Sequence, residues 1–157
     1  MDRTRRTLCQ AGLALGCAAA LPACGGSSNS NNGGSCDESD LAVGLASSIA
    51  LNDAVKVLTA QANGTGVFVC HDAGGYYAVD AGCTHVDCDV ALKAPGDLSQ
   101  GFLCPCHGAT YDANGLNPTT PAPLPLPHYE LCLQSSGELV CNVSPSDPVA
   151  ATVRLKA

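Results

Sequence analysis

Cysteine and histidine crowd into two short segments of this chain. The first is AGCTHVDCDV, residues 81–90, and the second is FLCPCHGATYD, residues 102–112. Together they read C-T-H-V-D-C, a gap of 15 residues, then C-P-C-H-G. Two cysteines and two histidines at C-x-H and C-x-x-H spacing can bring four ligands to one point. Metal ligation needs deprotonated thiolates and neutral imidazoles presented from short loops. Thiolate suits iron–sulfur or zinc, and imidazole suits either. C-x-H is uncommon spacing for a zinc finger. A framework of disulfides alone leaves the paired histidines and the C-P-C-H-G string unexplained. His71 and His128 stand outside both segments and read as ordinary turn or strand residues.

Short loops need a frame, and the sequence predicts a small all-β one. From about Asp40 onward, short apolar or alternating runs are separated by Gly, Pro, Asn and Asp. The runs at 54–60, 66–72, 76–81, 101–104, 109–112, 128–134 and 138–143 read as strands. ANGTG, DAGG, DANG and SSG read as turns between them. A short helix fits DLAVGLASSIA, residues 40–50, and no segment after residue 50 sustains a helical period. The last hairpin can be read more closely. With Ser136-Gly137 as a two-residue turn, Cys132 lies opposite Cys141 at a non-hydrogen-bonded pair, where Cα atoms are about 4.5 Å apart. The expectation is a Cys132–Cys141 cross-strand disulfide, which leaves Cys36 and Cys70 as a third pair or as free thiols.

Composition bounds the rest. The chain has 157 residues, two Phe, four Tyr, no Trp and eleven Cys. So few aromatic side chains build only a modest core, and so many cysteines imply disulfides, metal or both. The formal charge is −7, with nothing basic clustered in the body of the chain, which argues against nucleic acid as a partner.

The N-terminus reads as an address. MDRTRRTL is followed by an uncharged, mostly apolar run from Leu8 to Leu21. That run is shorter than the roughly 20 residues needed to span a bilayer. Thr4–Leu8, TRRTL, looks like a twin-arginine export signal, a route that carries folded proteins. Leu21–Cys24, LPAC, resembles a lipobox, which makes Cys24 the expected lipidated N-terminus. Gly25–Ser35 is a polar Gly/Ser/Asn linker, spanning roughly 17–20 Å as a flexible coil. The expected organisation is a signal at 1–23, a lipidated linker at 24–39 and a folded domain at 40–157. Without residues 1–23 the chain keeps four basic and thirteen acidic side chains, a formal charge of −9. A positively charged protein partner suits that balance, as does plain solubility.

The pattern C-T-H-x-x-C … C-P-C-H-G resembles the disulfide-containing branch of Rieske 2Fe–2S proteins, the branch found in quinol:cytochrome c reductases. The resemblance covers essentially the whole folded part. It implies a small antiparallel β-sandwich with an inserted cluster-binding subdomain of two loops. It implies one 2Fe–2S cluster, with Cys83 and Cys104 on one iron and His85 and His107 on the other, near an exposed tip. Two neutral imidazoles in place of two thiolates raise the potential of such centres to about −150 to +300 mV. The resemblance further implies a Cys88–Cys106 disulfide tying the loops together, and a Tyr111 hydroxyl bonded to a ligand sulfur. Thr120–Leu126, TPAPLPL, looks like the proline-rich loop that covers the cluster.

Three departures matter. Ala109 stands where high-potential members carry a serine, so one stabilising hydrogen bond is missing. Val86-Asp87 replaces the usual Leu-Gly, and Asp87 and Asp89 place carboxylates near His85. Those charges disfavour the reduced state and alter the surface a quinol would meet. A lipid tether also stands in for a transmembrane helix.

The function these residues imply is one-electron transfer at the outer face of a bacterial membrane, with His85 and His107 as the point of exchange. Partners would be a cytochrome or an oxidoreductase subunit, with quinol as a further candidate. The chain carries no nucleophile–base pair and no nucleotide loop, so it reads as a redox subunit rather than an enzyme alone. The rival readings are the iron–sulfur subunit of a quinol:cytochrome c reductase, that of a molybdenum oxidase of the arsenite type, and a structural zinc or disulfide binding module.

Overall fold

A computed structural model describes residues 36–37, 40–59, 65–143 and 149–156. The proposed signal, Cys24, most of the linker and the tip of the ANGTG turn lie outside them. The described residues are all-β, with nine strands among them: β1 Leu41–Leu45, β2 Asp53–Val57, β3 Val67–Asp72, β4 Gly75–Asp80, β5 Ala91–Leu92, β6 Phe102–Leu103, β7 Thr110–Tyr111, β8 His128–Leu133 and β9 Glu138–Asn142. A six-stranded sheet runs in the order β1-β9-β8-β4-β3-β2, and a three-stranded sheet runs β5-β6-β7. All of the pairings are antiparallel. The small sheet and both Cys/His segments fall between β4 and β8, so they form one insertion into the larger sheet.

The β3–β4 hairpin is the wall on which both halves are built. Its residues Val67–Cys70 and Tyr76–Asp80 are all buried. Alternate side chains of a strand face opposite ways. Val67, Val69, Tyr76 and Ala78 pack with Tyr129, Leu131 and Leu139 of the large sheet. Phe68, Cys70, Tyr77 and Val79 pack under the insertion, with Leu98, Phe102 and Leu126. Burial on both faces explains why VFVC carries no polar alternation.

The segment DLAVGLASSIA forms no α-helix. It makes edge strand β1, followed by a single 3₁₀ turn at Ala46–Ser48. Pairing with β9 gives its backbone more bonds than a short isolated helix would keep. Strand β5 lies in a stretch that carries no strand signal, since two residues leave no periodicity to read.

The last hairpin corrects the expected Cys132–Cys141 bond. Its loop has three residues, Ser135 to Gly137, closed by the Gln134 N–H to Glu138 carbonyl bond at 2.8 Å. Gly137 adopts φ 85°, the left-handed residue that this loop type requires. Cys132 therefore pairs with Val140, and Cys141 pairs with Leu131. One residue of register puts the two cysteines on opposite faces. Cys132 is bonded to Cys36 instead, with S–S 2.05 Å and Cα–Cα 6.0 Å. Cys141 and Cys70 are free and fully buried. Burial pushes the Cys141 thiol up to about 12, so it stays protonated and unreactive.

Non-reducing peptide mapping should therefore recover a Cys36–Cys132 fragment and no Cys132–Cys141 fragment. The bond closes a loop with a sequence separation of 96 residues, so Cys132→Ser should lower unfolding stability by about 2–4 kcal/mol in a denaturant titration.

Candidate metal centre

The insertion presents two loops with the same backbone design. In the first, the Cys83 N–H reaches the Cys88 carbonyl at 2.9 Å, and the Asp87 N–H reaches the Cys83 carbonyl at 2.8 Å. In the second, the Cys104 N–H reaches the Ala109 carbonyl at 2.7 Å, and the Gly108 N–H reaches the Cys104 carbonyl at 3.0 Å. Each loop thus opens on a cysteine and closes four residues later on a left-handed residue. Gly108 takes φ 77° at no cost, and Asp87 takes φ 52°, a conformation aspartate tolerates better than most side chains. The Val86-Asp87 departure therefore leaves the turn intact.

Strand β4 delivers the first loop through Asp80. This buried carboxylate accepts from the Gly82 N–H at 2.5 Å and from the Tyr129 hydroxyl at 2.6 Å. Val90 N–H to Ala81 carbonyl, 2.8 Å, closes the base of the loop. The β6–β7 pair, with Leu103 opposite Thr110, delivers the second loop. A disulfide joins Cys88 to Cys106, with Cα–Cα 6.4 Å, so the loops are stapled side by side.

This arrangement sorts the donors by depth. Cys83 and Cys104 are free thiols, buried at 1% and 0% exposure. His85 and His107 are exposed, with ring centroids 4.7 Å apart in an edge-to-face arrangement. The Sγ atoms of Cys88, Cys104 and Cys106 also lie within 4.8 Å of one another. Two of those three are committed to the disulfide, so Cys104 alone among them keeps a thiol to offer. Two buried thiols in contact with each other and two close, exposed imidazoles, one pair from each loop, fit a two-iron cluster held by mixed sulfur and nitrogen donors.

The thiols are not equivalent. Burial raises Cys83, but the Tyr111 hydroxyl, the His85 N–H and the Cys104 thiol outweigh it and hold Cys83 below the ordinary thiol value. Burial raises Cys104, and its hydrogen bond to Cys83 raises it further. Tyr111, buried at 1%, places its hydroxyl 3.4 Å from the Cys83 sulfur. It accepts from the Thr84 N–H at 3.2 Å and keeps its own proton to donate. Thr84 completes the bridge, since its hydroxyl donates to the Leu124 carbonyl at 2.6 Å and pins the proline-rich segment over the loops. Thr84 sits within C-T-H, but its hydroxyl carries no ligand signal in sequence, so this role shows only in three dimensions.

Ala109 is fully buried. Asp89 pairs with Lys56 at 2.9 Å, while Asp87 is exposed and has no ion pair among the described residues. The other histidines are occupied elsewhere. His71 bonds the Ile49 carbonyl at 2.9 Å and stacks on Tyr76. His128 is buried, donates from Nδ1 to the Leu126 carbonyl at 3.2 Å, and burial lowers its pKa. Among the described residues no helix is long and apolar enough to cross a membrane.

Residues 40–130 match the family model described as Rieske [2Fe-2S] domain. The chain is 36% identical over 105 residues to the cytochrome b6-f complex iron-sulfur subunit of Chlorobaculum tepidum, covering 67% of this chain and 54% of that protein. It is 47% identical over 57 residues to the ubiquinol-cytochrome c reductase iron-sulfur subunit of Blastochloris viridis, covering 35% of this chain and 31% of that protein. The chain thus spans about half, or less, of the length of the curated relatives it matches. Among solved structures, it is similar to the cyanobacterial plasma membrane Rieske protein PetC3 from Synechocystis PCC 6803. That similarity has 26% identity, covers 65% of this chain and 98% of that one, and gives a TM-score of 0.48.

Two substitutions test the tuning groups. Tyr111→Phe removes a donor to an anionic sulfur and should lower the midpoint potential by on the order of 40 mV, the equivalent of about 1 kcal/mol for one electron. Ala109→Ser should move the potential the other way. Protein-film voltammetry reads both, and no rise in Ala109→Ser would refute the role assigned to that position.

Proposed function

This chain belongs to the Rieske 2Fe–2S family of electron-transfer domains, and we propose that it serves as a one-electron carrier anchored by lipid at the outer face of a bacterial membrane. The assignment of ligands is part of the proposal: Cys83 and Cys104 to one iron, His85 and His107 to the other. The observation that carries it is the depth ordering, two buried thiols and two exposed imidazoles on loops joined by a disulfide. When bound, a cluster of this kind supplies a one-electron couple at about −150 to +300 mV.

The protein's own groups do the rest. The Cys83 and Cys104 thiols lie where water and oxidants reach them poorly. Tyr111 donates to the Cys83 sulfur and stabilises negative charge there. Thr84 holds the proline-rich segment in place as a lid. His85 and His107 meet solvent, so they are the ligands through which a partner would reach the cluster. The relatives named above are subunits of larger complexes. A stable cytochrome b partner would favour a reductase subunit, a molybdopterin subunit would favour an oxidase, and neither would favour the free carrier.

EPR of the dithionite-reduced protein tests the cluster. The expected signal has an average g below that of all-cysteine 2Fe–2S centres, and it should vanish in His107→Ala. A colourless, EPR-silent protein would overturn the reading in favour of a zinc or disulfide module. Membrane attachment is tested separately. Cys24→Ala expressed in a bacterial host should move the protein from the membrane fraction to the soluble one, and a variant that stays bound would remove the lipid anchor from the proposal.

A further inference from the structure

Lys56 lies on β2, outside both Cys/His segments, and its position is held on three sides. It pairs across the sheet with Phe68. Its Nζ lies over the Phe68 ring, 5.8 Å from the centroid. The same Nζ meets Asp89 Oδ2 at 2.9 Å. Phe68 in turn packs on Phe102, with ring centroids 5.2 Å apart, in the core that holds Cys83 and Cys104. The lysine stem therefore lies against the floor of the insertion, and its charge is delivered to the first loop.

Asp89 is well placed to matter. It directly follows Cys88 of the disulfide and bridges to Gly82, the residue before Cys83. Directly opposed residues of an antiparallel pair lie about 4.5–5.5 Å apart. That puts Asp89 within a Debye length, about 8–10 Å, of the Cys83 backbone, where charges are incompletely screened. Reduction adds one negative charge at the centre, and an uncompensated carboxylate so close opposes it. The sequence alone gives two such carboxylates, Asp87 and Asp89. In the fold, Lys56 neutralises one of them. The Lys56 and Asp89 side chains keep 23% and 62% of their exposure, and so exposed a pair contributes little to stability. Its consequence is electrostatic.

We infer that Lys56 is a positioning and tuning residue for electron transfer: it holds Asp89 in an ion pair against the first loop and so keeps the reduction potential from falling. The inference rests on the ligand set proposed above. Because Lys56 acts through charge, the potential should follow the charge and not the bulk of the side chain.

A double-mutant cycle on the holoprotein tests this, with midpoint potentials read by EPR-monitored titration at low ionic strength. Lys56→Met keeps the apolar stem and should shift the potential downward. Lys56→Arg should leave it near the wild-type value. Asp89→Asn should shift it upward, and the double variant should return toward wild type. Raising the salt concentration should shrink the gap between Lys56→Met and wild type. An unmoved potential in Lys56→Met, or both single variants shifting downward together, would overturn the inference and leave Lys56 as packing alone. A wild-type protein without a reducible cluster would instead overturn the ligand assignment, and the inference with it.

Discussion

The Cys88–Cys106 bond is the constraint on which the rest depends. Each of the two loops hydrogen-bonds mainly to itself, through the same closure around its opening cysteine. Nothing in that closure fixes one loop against the other. The disulfide does so covalently, and the Tyr111 hydroxyl adds a polar bridge from β7 to Cys83 and Thr84. A four-ligand site drawn from two separate turns tolerates little relative motion, because ligand distances vary by only tenths of an ångström. In a chain with so few large aromatic residues, a covalent staple supplies rigidity that packing alone would not.

The frame beneath is divided to the same end. The β3–β4 hairpin carries one core on each face. The core on the insertion side contains Cys83, Cys104, Tyr111 and Phe102, so the proposed site is continuous with the packing that supports it. The C-terminal segment braces this wall from behind. Arg154 pairs with Asp72 at 2.9 Å, lies 3.7 Å over the Tyr77 ring and bonds Asn114 of the turn after β7. Leu155 extends the contact with backbone bonds to Tyr76 at 2.8 and 2.9 Å. Through these bonds, residues at the far end of the sequence help to fix the turn that follows Tyr111.

Much of the site was legible because its information is local. Cysteine and histidine at close spacing in two turns can be read directly, and the segments lie where the pattern puts them. The strands of the large sheet were legible for the same reason, as short β-branched runs bounded by turn residues. What was not legible depends on register or on distant pairing. A two-residue turn and a three-residue turn both suit SSG, and that single residue decided whether Cys132 faced Cys141 or Cys36. Strand β1 needed β9 as a partner before its sequence could be told from a short helix. Thr84, Lys56 and Arg154 act through contacts 40, 33 and 82 residues away. No window of local sequence carries such contacts.

Depth is the property that unites the chemistry. A thiolate is easily oxidised where it is exposed. An imidazole is chemically durable and can face solvent. The fold puts each donor type where it can last. Cys83 and Cys104 are buried in one core with Tyr111, Ala122 and Leu126, and His85 and His107 lie at the surface. On the proposed ligand set, the same division would serve exchange, since an electron would cross only an imidazole to reach a partner. Val86 and Leu124 are exposed on the first loop and the proline-rich segment, at 52% and 63%. They give this surface apolar area without burying the histidines.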